Sequence, residues 1–281
     1  MRSLVHLSDL HFGTVDSSFV DPLVLAIQQL KPDLIAVSGD LTQRATPEEF
    51  LEARDFLQRL PGKQMVVPGN HDMSFYNPFR RLTQRLHLFR EYIASDREPY
   101  YEDEEIALLG MNTVRVEHLR DGRMSEGKVR RLEEKMAGAP ANAVRILMTH
   151  HPFDLPEKFP AGELVGRARR VFARVVACAD LLLAGHMHVS HAGNTAGRYK
   201  IEGHSAVFVQ AGTALSTRGR GEANSFNAIR IERPRIVVDQ FAWHEDLRQF
   251  ALLTTSTFEE SPSGWAHKQE EVKMSPEEVA K

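Results

Sequence analysis

A single cysteine, Cys178, stands in the whole chain of 281 residues. One thiol forms no intramolecular disulfide, so the fold must rest on its core, as suits a reducing compartment. The apolar neighbours Val175, Val176, Ala177 and Ala179 mark Cys178 as a buried structural thiol rather than a nucleophile. Basic excess is also lacking, for the formal net charge is −3. That leaves no footprint for a stable grip on long nucleic acid, although a local patch need not show in the total. No run approaches the roughly 18 apolar residues of a membrane span. Residues 1–20 do not read as a signal peptide, because His6, Asp9 and His11 break the apolar stretch and no small-residue cleavage site follows. Low-complexity tracts are missing as well. These absences point to a cytoplasmic globular protein with no transmembrane segment.

What is present is ordinary in amount and patterned in order. Hydrophobic residues make up 42% and charged residues 26%, enough for one large core. The first third repeats one phrase: an apolar strand ends in a polar cluster and an amphipathic helix follows. Strands are expected at 4–7, 34–37 and 65–67, and their clusters begin near Asp9, Asp40 and Asn70. That spacing is one βαβ unit each, so the strands should be parallel neighbours. Asp21-Pro22 reads as an N-cap with Pro at the first helical position, before Leu23, Ile27 and Leu30. Thr46-Pro47-Glu48-Glu49 reads as a capping box before Phe50, Ala53, Leu57 and Leu60. Residues 75–100 break the rhythm with Phe75, Tyr76, Phe79, Phe89, Tyr92 and the basic Arg80, Arg81, Arg85 and Arg90. Leu82, Leu86, Phe89 and Ile93 suggest a helix there. Further strands are expected at 106–109, 144–148, 181–184, 207–210, 227–231 and 236–241, the last two as a hairpin. Residues 1–245 read as one catalytic domain with 75–100 as a substrate-side insert. From Glu245 the pattern fades, and 246–281 reads as a mobile C-terminal extension.

Five clusters sit where apolar strands end: Asp9-Leu10-His11, Gly39-Asp40, Gly69-Asn70-His71-Asp72, His150-His151 and Gly185-His186-Met187-His188. In open α/β sheets, ligand sites form at those ends. Carboxylates, imidazoles and an amide oxygen are donors for borderline to hard metal ions. Residues two apart at a strand end should face the same side, pairing Asp9 with His11 and His186 with His188. Singly, each cluster is as readily a cap or a turn. Together they offer more donors than one protein-bound ion needs.

In this order, the clusters resemble the signature of the calcineurin-like metallophosphoesterase superfamily: D-x-H, G-D, G-N-H-(D/E), H and G-H-x-H. The resemblance runs from Asp9 to His188 with no departure at a ligand position. It implies an α/β (α+β) fold, a four-layer αββα sandwich with two mixed sheets. It also implies a binuclear centre of Mn, Fe or Zn. One ion would take Asp9, His11, Asp40 and His188, and the other Asp40, Asn70, His150 and His186, with Asp40 bridging. The family pattern favours His150 over His151 as ligand, leaving His151 to support the ligands from behind or to face substrate. His71 is expected to hydrogen-bond the phosphate or protonate the leaving oxygen, and Asp72 either to orient the His71 ring or to cap a helix. The implied reaction is attack of metal-bound hydroxide on phosphorus.

Local context narrows the substrate. Protein phosphatases continue Gly-Asp with Tyr-Val-Asp-Arg-Gly, whereas Leu41-Thr42-Gln43-Arg44 follows here. Purple acid phosphatases place a metal-bound Tyr where Gln43 stands. Gly-Asp-Leu-Thr, Gly-Asn-His-Asp and His-His-Pro are similar to bacterial class III cyclic-nucleotide phosphodiesterases and their glycerophosphodiesterase relatives. A small phosphodiester substrate is expected, with Arg218 and Arg220 as contacts. The alternatives are a UDP-diacylglucosamine-type pyrophosphate hydrolase of lipid A synthesis, with the insert as acyl channel, and a DNA nuclease. A non-enzymatic scaffold fits poorly with a full ligand set. Oligomeric state stays open, with the tail a candidate homodimer contact.

Overall fold

The computed structural model describes residues 1–74, 86–118, 120–156, 159, 163–196, 204–218 and 221–272. The chain starts in one sheet, leaves for a second and returns. Strands β1 (Arg2–Leu7), β2 (Leu34–Val37) and β3 (Lys63–Val66) are parallel neighbours in the order expected. Helices α1 (Val20–Leu30) and α2 (Pro47–Gln58) connect them. After the short α3 (His87–Tyr92), a second sheet forms from β4 (Tyr100–Glu102), β5 (Ile106–Met111), β6 (Val144–Thr149), β7 (Leu181–Ala184), β8 (His191–Asn194) and β9 (Val207–Gln210). Its helices are α4 (Glu126–Ala137) and α5 (Ala168–Cys178). The chain then re-enters the first sheet with β10 (Ser225–Glu232), β11 (Arg235–His244), β12 (Gln249–Ser261) and β13 (Gly264–Val272). The sheet orders are β13-β12-β11-β10-β1-β2-β3 and β4-β5-β6-β7-β9-β8, and both are mixed.

The buried side chains divide into layers that explain the sandwich. Val5, Leu7, Ile35 and Val37 pack under the helices with Leu23, Ile27, Phe50, Ala53 and Phe89. Leu4, Leu34, Ala36 and Met65 face the other way, onto Ile106, Leu108, Ile146, Leu183 and Val209 of the second sheet. Leu109, Leu147 and Leu182 meet Val129, Leu132, Val171, Phe172 and Val175 of α4 and α5. Strands buried on both faces read as continuous apolar runs, which is why these were easy to place. Fully burying one side chain such as Phe50 or Phe89 stabilises the fold by roughly 1.5–3 kcal/mol.

The Thr46 capping box forms: its hydroxyl accepts the Glu49 amide at 3.3 Å, and Glu49 accepts the Thr46 amide at 3.4 Å. The 227–231/236–241 hairpin also forms, with Ser225 opposite Ala242 and Glu232 opposite Arg235. Asp21 is not the N-cap expected of it. Asp16 accepts the Ser18 amide and caps a 3₁₀ turn, Ser17–Phe19, that runs straight into α1, so Asp21 and Pro22 lie within its first turn. Proline is tolerated there because the amide it lacks would have no helical partner.

The expected mobile extension differs more. Its described part, through residue 272, forms the paired strands β12 and β13 of the first sheet. The Thr-rich face of β12 is half-buried, so it shows no clean alternation, and β13 is an edge strand with the charges such strands carry. Residues 273–281 lie outside the described ones, as do 75–85 of the insert with Phe75, Tyr76, Phe79, Arg80, Arg81 and Arg85. The described remainder of the insert packs inward: Leu86 and Phe89 join the core and Tyr92 stacks on Phe50. Among the described residues, no helix is long and apolar enough to cross a membrane.

Candidate metal centre

All five clusters meet where the two sheets adjoin, beyond the C-terminal ends of β1, β2, β3, β6 and β7. The local backbone is unusual. Asp9, His11, Asp40, His186 and His188 all have positive φ, between 50° and 76°. Left-handed conformations cost energy for residues with a Cβ and gather at functional sites. They also replace the pleat argument: Asp9 and His11 converge through successive left-handed turns, not through strand alternation. Gly39 permits a close backbone approach, with φ of 95°; a Cβ there would sit 2.6 Å from the Gly69 amide nitrogen.

Two groups of donors result. In the first, His11 Nε2 lies 3.1 Å from His188 Nε2 and 3.8 Å from Asp9 Oδ1, while His188 Nε2 lies 3.3 Å from that same oxygen. In the second, Asn70 Oδ1 lies 3.1 Å from both His150 Nε2 and His186 Nδ1, and the two ring nitrogens are 3.3 Å apart. Asp40 Oδ2 stands between them, 3.8 Å from His11 Nε2 and 3.4 Å from His150 Nε2. Its other oxygen accepts the His71 amide at 2.8 Å.

This donor set fits a bound cation. Asp9 Oδ1 is buried without a hydrogen-bond partner, a costly state unless a positive charge compensates it. His188 Nδ1 donates to the Arg218 carbonyl and His150 Nδ1 to the Ser38 carbonyl, which turns both Nε2 lone pairs inward. Lone pairs facing one another at hydrogen-bond distance are what a shared cation relieves. Burial lowers His150 and His188, but the Asp40 and Asp9 carboxylates outweigh it and raise both, His150 to about 9, so a cation would take the place of a proton on these two rings. Burial pushes the Asp9 and Asp40 carboxyls up, but the surrounding imidazoles outweigh it and hold both below the usual range. Burial holds His11 and His186 down to about 3, as neutral donors.

Of the two places open to His151, its surroundings are those of a support beneath the site. The residue is 2% exposed. Its Nε2–H donates to the Arg120 carbonyl at 2.8 Å, and its Nδ1 accepts the Thr113 hydroxyl at 2.7 Å. Both nitrogens are thereby engaged, and burial and the neighbouring His186 and His150 keep the ring neutral. It packs against its neighbours' rings, with its centroid 4.6 Å from that of His186. Asp72 departs from expectation. Its oxygens accept the Thr42 amide and hydroxyl and the Gly69 amide, at 2.8 to 3.0 Å, so it ties two site loops together. The His71 ring is instead oriented by the Gln43 carbonyl, 2.9 Å from Nδ1. Arg218 reaches the mouth of the site, with Nη1 2.9 Å from Gln43 Oε1 and 3.4 Å from His71 Nε2. Arg220 lies outside the described residues.

Comparison with known sequences decides the family. The profile of the calcineurin-like phosphoesterases matches residues 2–190, which hold every donor described above. The chain belongs to the calcineurin-like phosphoesterase family. Among curated relatives, the cAMP/cGMP dual specificity phosphodiesterase of Mycobacterium tuberculosis is 27% identical over 83% of this chain and 77% of its own length. The glycerophosphodiester phosphodiesterase GpdQ of Enterobacter lignolyticus is 28% identical over 54% of this chain, which spans only 58% of that protein. Among solved structures, a dimetal phosphatase from Danio rerio superposes with a TM-score of 0.62 at 12% identity, covering 89% of this chain and 98% of the other. At that identity the likeness shows the fold. The orienting partners of the calcineurin-like site were not legible in advance. Ser38, Arg120, Gln43 and Arg218 act through backbone carbonyls, which carry no signature in a sequence.

Proposed function

We propose that this chain is a two-metal phosphodiesterase acting on a small phosphodiester of the cyclic-nucleotide or glycerophosphodiester type. Asp9, His11, Asp40 and His188 would hold one ion, and Asp40, Asn70, His150 and His186 the other, with Mn, Fe or Zn as candidates. The observation that carries the reading is the place of Asp40 Oδ2 between the two donor groups, within 3.8 Å of each. When bound, two such ions activate water for attack on phosphorus and offset charge on the phosphate oxygens.

The chain's own residues supply the rest. His71 is fixed at both ends, its amide on Asp40 and its Nδ1 on the Gln43 carbonyl. Its Nε2 points toward Arg218. With Nδ1–H on the Gln43 carbonyl, the ring donates from Nε2 only as the imidazolium, which can hydrogen-bond a phosphate oxygen or pass that proton to the leaving alkoxide. Arg218 supplies positive charge to the phosphate. Asp72 holds the 69–72 turn against Thr42 and so sets where Asn70 and His71 sit. His151 keeps the rings of His150 and His186 in place.

The relatives named above act on cyclic nucleotides and glycerophosphodiesters, which supports the substrate class. The acyl-channel alternative draws no support from the inward packing of Leu86, Phe89 and Tyr92. The test is metal analysis of the purified protein with turnover of bis(p-nitrophenyl) phosphate. A panel of cyclic AMP, cyclic GMP, glycerophosphodiesters, UDP-diacylglucosamine and single-stranded DNA then follows. A metal-free, inactive protein overturns the enzyme reading; preference for UDP-diacylglucosamine or DNA overturns only the substrate.

A further inference from the structure

Gln43 and Arg218 lie 175 residues apart in sequence and meet across the mouth of the site. We propose that Gln43 determines specificity for anionic phosphodiesters, by pinning Arg218 through a neutral amide that positions the guanidinium without cancelling its charge. The inference rests on the phosphodiesterase reading and deepens it.

Gln43 is held from both sides. Its amide donates to the Phe12 carbonyl at 2.9 Å, and its carbonyl accepts His71 Nδ1–H at 2.9 Å. Its position is therefore tied to the turn after β1 and to the acid-base candidate. The side chain is left to take Arg218 Nη1 at 2.9 Å. Arg218 is anchored in its backbone as well: its amide donates to Ser216 Oγ at 3.1 Å, and its carbonyl accepts His188 Nδ1–H at 3.1 Å. The next residue back, Thr217, donates its amide to the Thr14 carbonyl. Only the guanidinium stem would otherwise move.

Arg218 has no carboxylate partner among the described residues. Arg59, Arg131, Arg174 and Arg233 are paired with carboxylates at 2.5 to 2.7 Å. A carboxylate at position 43 would also grip the guanidinium, and more strongly, but it would neutralise the charge that a phosphate meets. A neutral acceptor restrains a rotamer-rich side chain and leaves its full charge for the ligand. The ligand chemistry this selects is a singly charged phosphodiester, bound with one non-bridging oxygen toward Arg218 and His71.

Gln43→Glu separates this role from a structural one, because it keeps the hydrogen bond and removes only the net charge. Wild type, Gln43→Glu and Gln43→Met are compared on bis(p-nitrophenyl) phosphate at several salt concentrations, with metal content and Tm measured on each. For Gln43→Glu, KM should rise about tenfold with kcat within a few-fold, metal content and Tm held, and the salt dependence of KM flattened. Gln43→Met, which loses the acceptor without adding charge, should raise KM by about threefold and keep the salt dependence. Wild-type KM and salt dependence in Gln43→Glu would overturn the inference while leaving the phosphodiesterase reading intact. Absence of turnover in the wild type would overturn that reading and this inference with it.

Discussion

Replacing each member of the His150-His151 pair by phenylalanine gives opposite outcomes. Phenylalanine keeps an aromatic ring and removes both nitrogens, so the same steric change is made at both buried positions and the difference between them reports the polar contacts. His151→Phe leaves the Arg120 carbonyl and the Thr113 hydroxyl without the partners they have at 2.8 and 2.7 Å. Stranding a buried polar group costs roughly 1–3 kcal/mol. The Arg120 carbonyl is only part-buried, so the sum should be about 2–4 kcal/mol. For a chain of this size, 1 kcal/mol moves Tm by about 2–4 °C, so Tm should fall by about 5–15 °C while metal content persists. His150→Phe removes Nε2 from the group formed with Asn70, His186 and Asp40. That variant should lose at least one ion per chain; it also strands the buried Ser38 carbonyl that accepts His150 Nδ1–H at 2.8 Å, so metal content, not Tm, separates the two proteins. Elemental analysis of the two proteins decides the matter, and thermal melts check the loss of stability. A metal-free His151→Phe beside a fully loaded His150→Phe would refute the assignment.

Other perturbations test the remaining roles. Asp40→Ala should empty both donor groups, read as loss of bound metal and of the Tm increase that added Mn or Zn gives the wild type. His71→Ala should keep its metal and lose about 10²- to 10⁴-fold in kcat on a diester with a poor leaving group; full turnover would remove its acid role. Cys178 is buried and its Sγ–H donates to the Arg174 carbonyl at 3.0 Å. Burial pushes its thiol up from 9.0 to about 11, so iodoacetamide at pH 8 should label it only after unfolding. The sign for stability follows: the unfolded thiol ionises first, so its contribution is intact below about pH 9 and is lost as pH rises toward 11.

The parts legible in the sequence are those with a local cause. Strands buried on both faces announced themselves as apolar runs, and the capping box at Thr46 specified its helix start. Donor chemistry at the ends of five apolar strands marked the side chains that the fold brings together. What stayed hidden depends on distant segments. The β12–β13 pair is stabilised by register with β11, not by its own alternation, so its half-exposed threonines read as a fading pattern. For His151 the sequence left support and substrate contact equally open, and only Thr113 and the Arg120 carbonyl, distant in the chain, favour the first. Asp72 looked like a partner for its neighbour His71, yet it faces Thr42 and Gly69. Gln43 appeared only as the residue standing where another branch has tyrosine. Its contact with Arg218 required the fold to bring the loop after β9 across to the turn after β2.

The central claim is that Asp40 is shared between two metal sites in a working phosphodiesterase. Titrating metal-stripped protein with Mn or Zn, while following bis(p-nitrophenyl) phosphate turnover, tests it most directly. Activity should appear as about two ions bind per chain, with neither binding nor turnover in Asp40→Ala. One ion at saturation, or full turnover without metal, would contradict it.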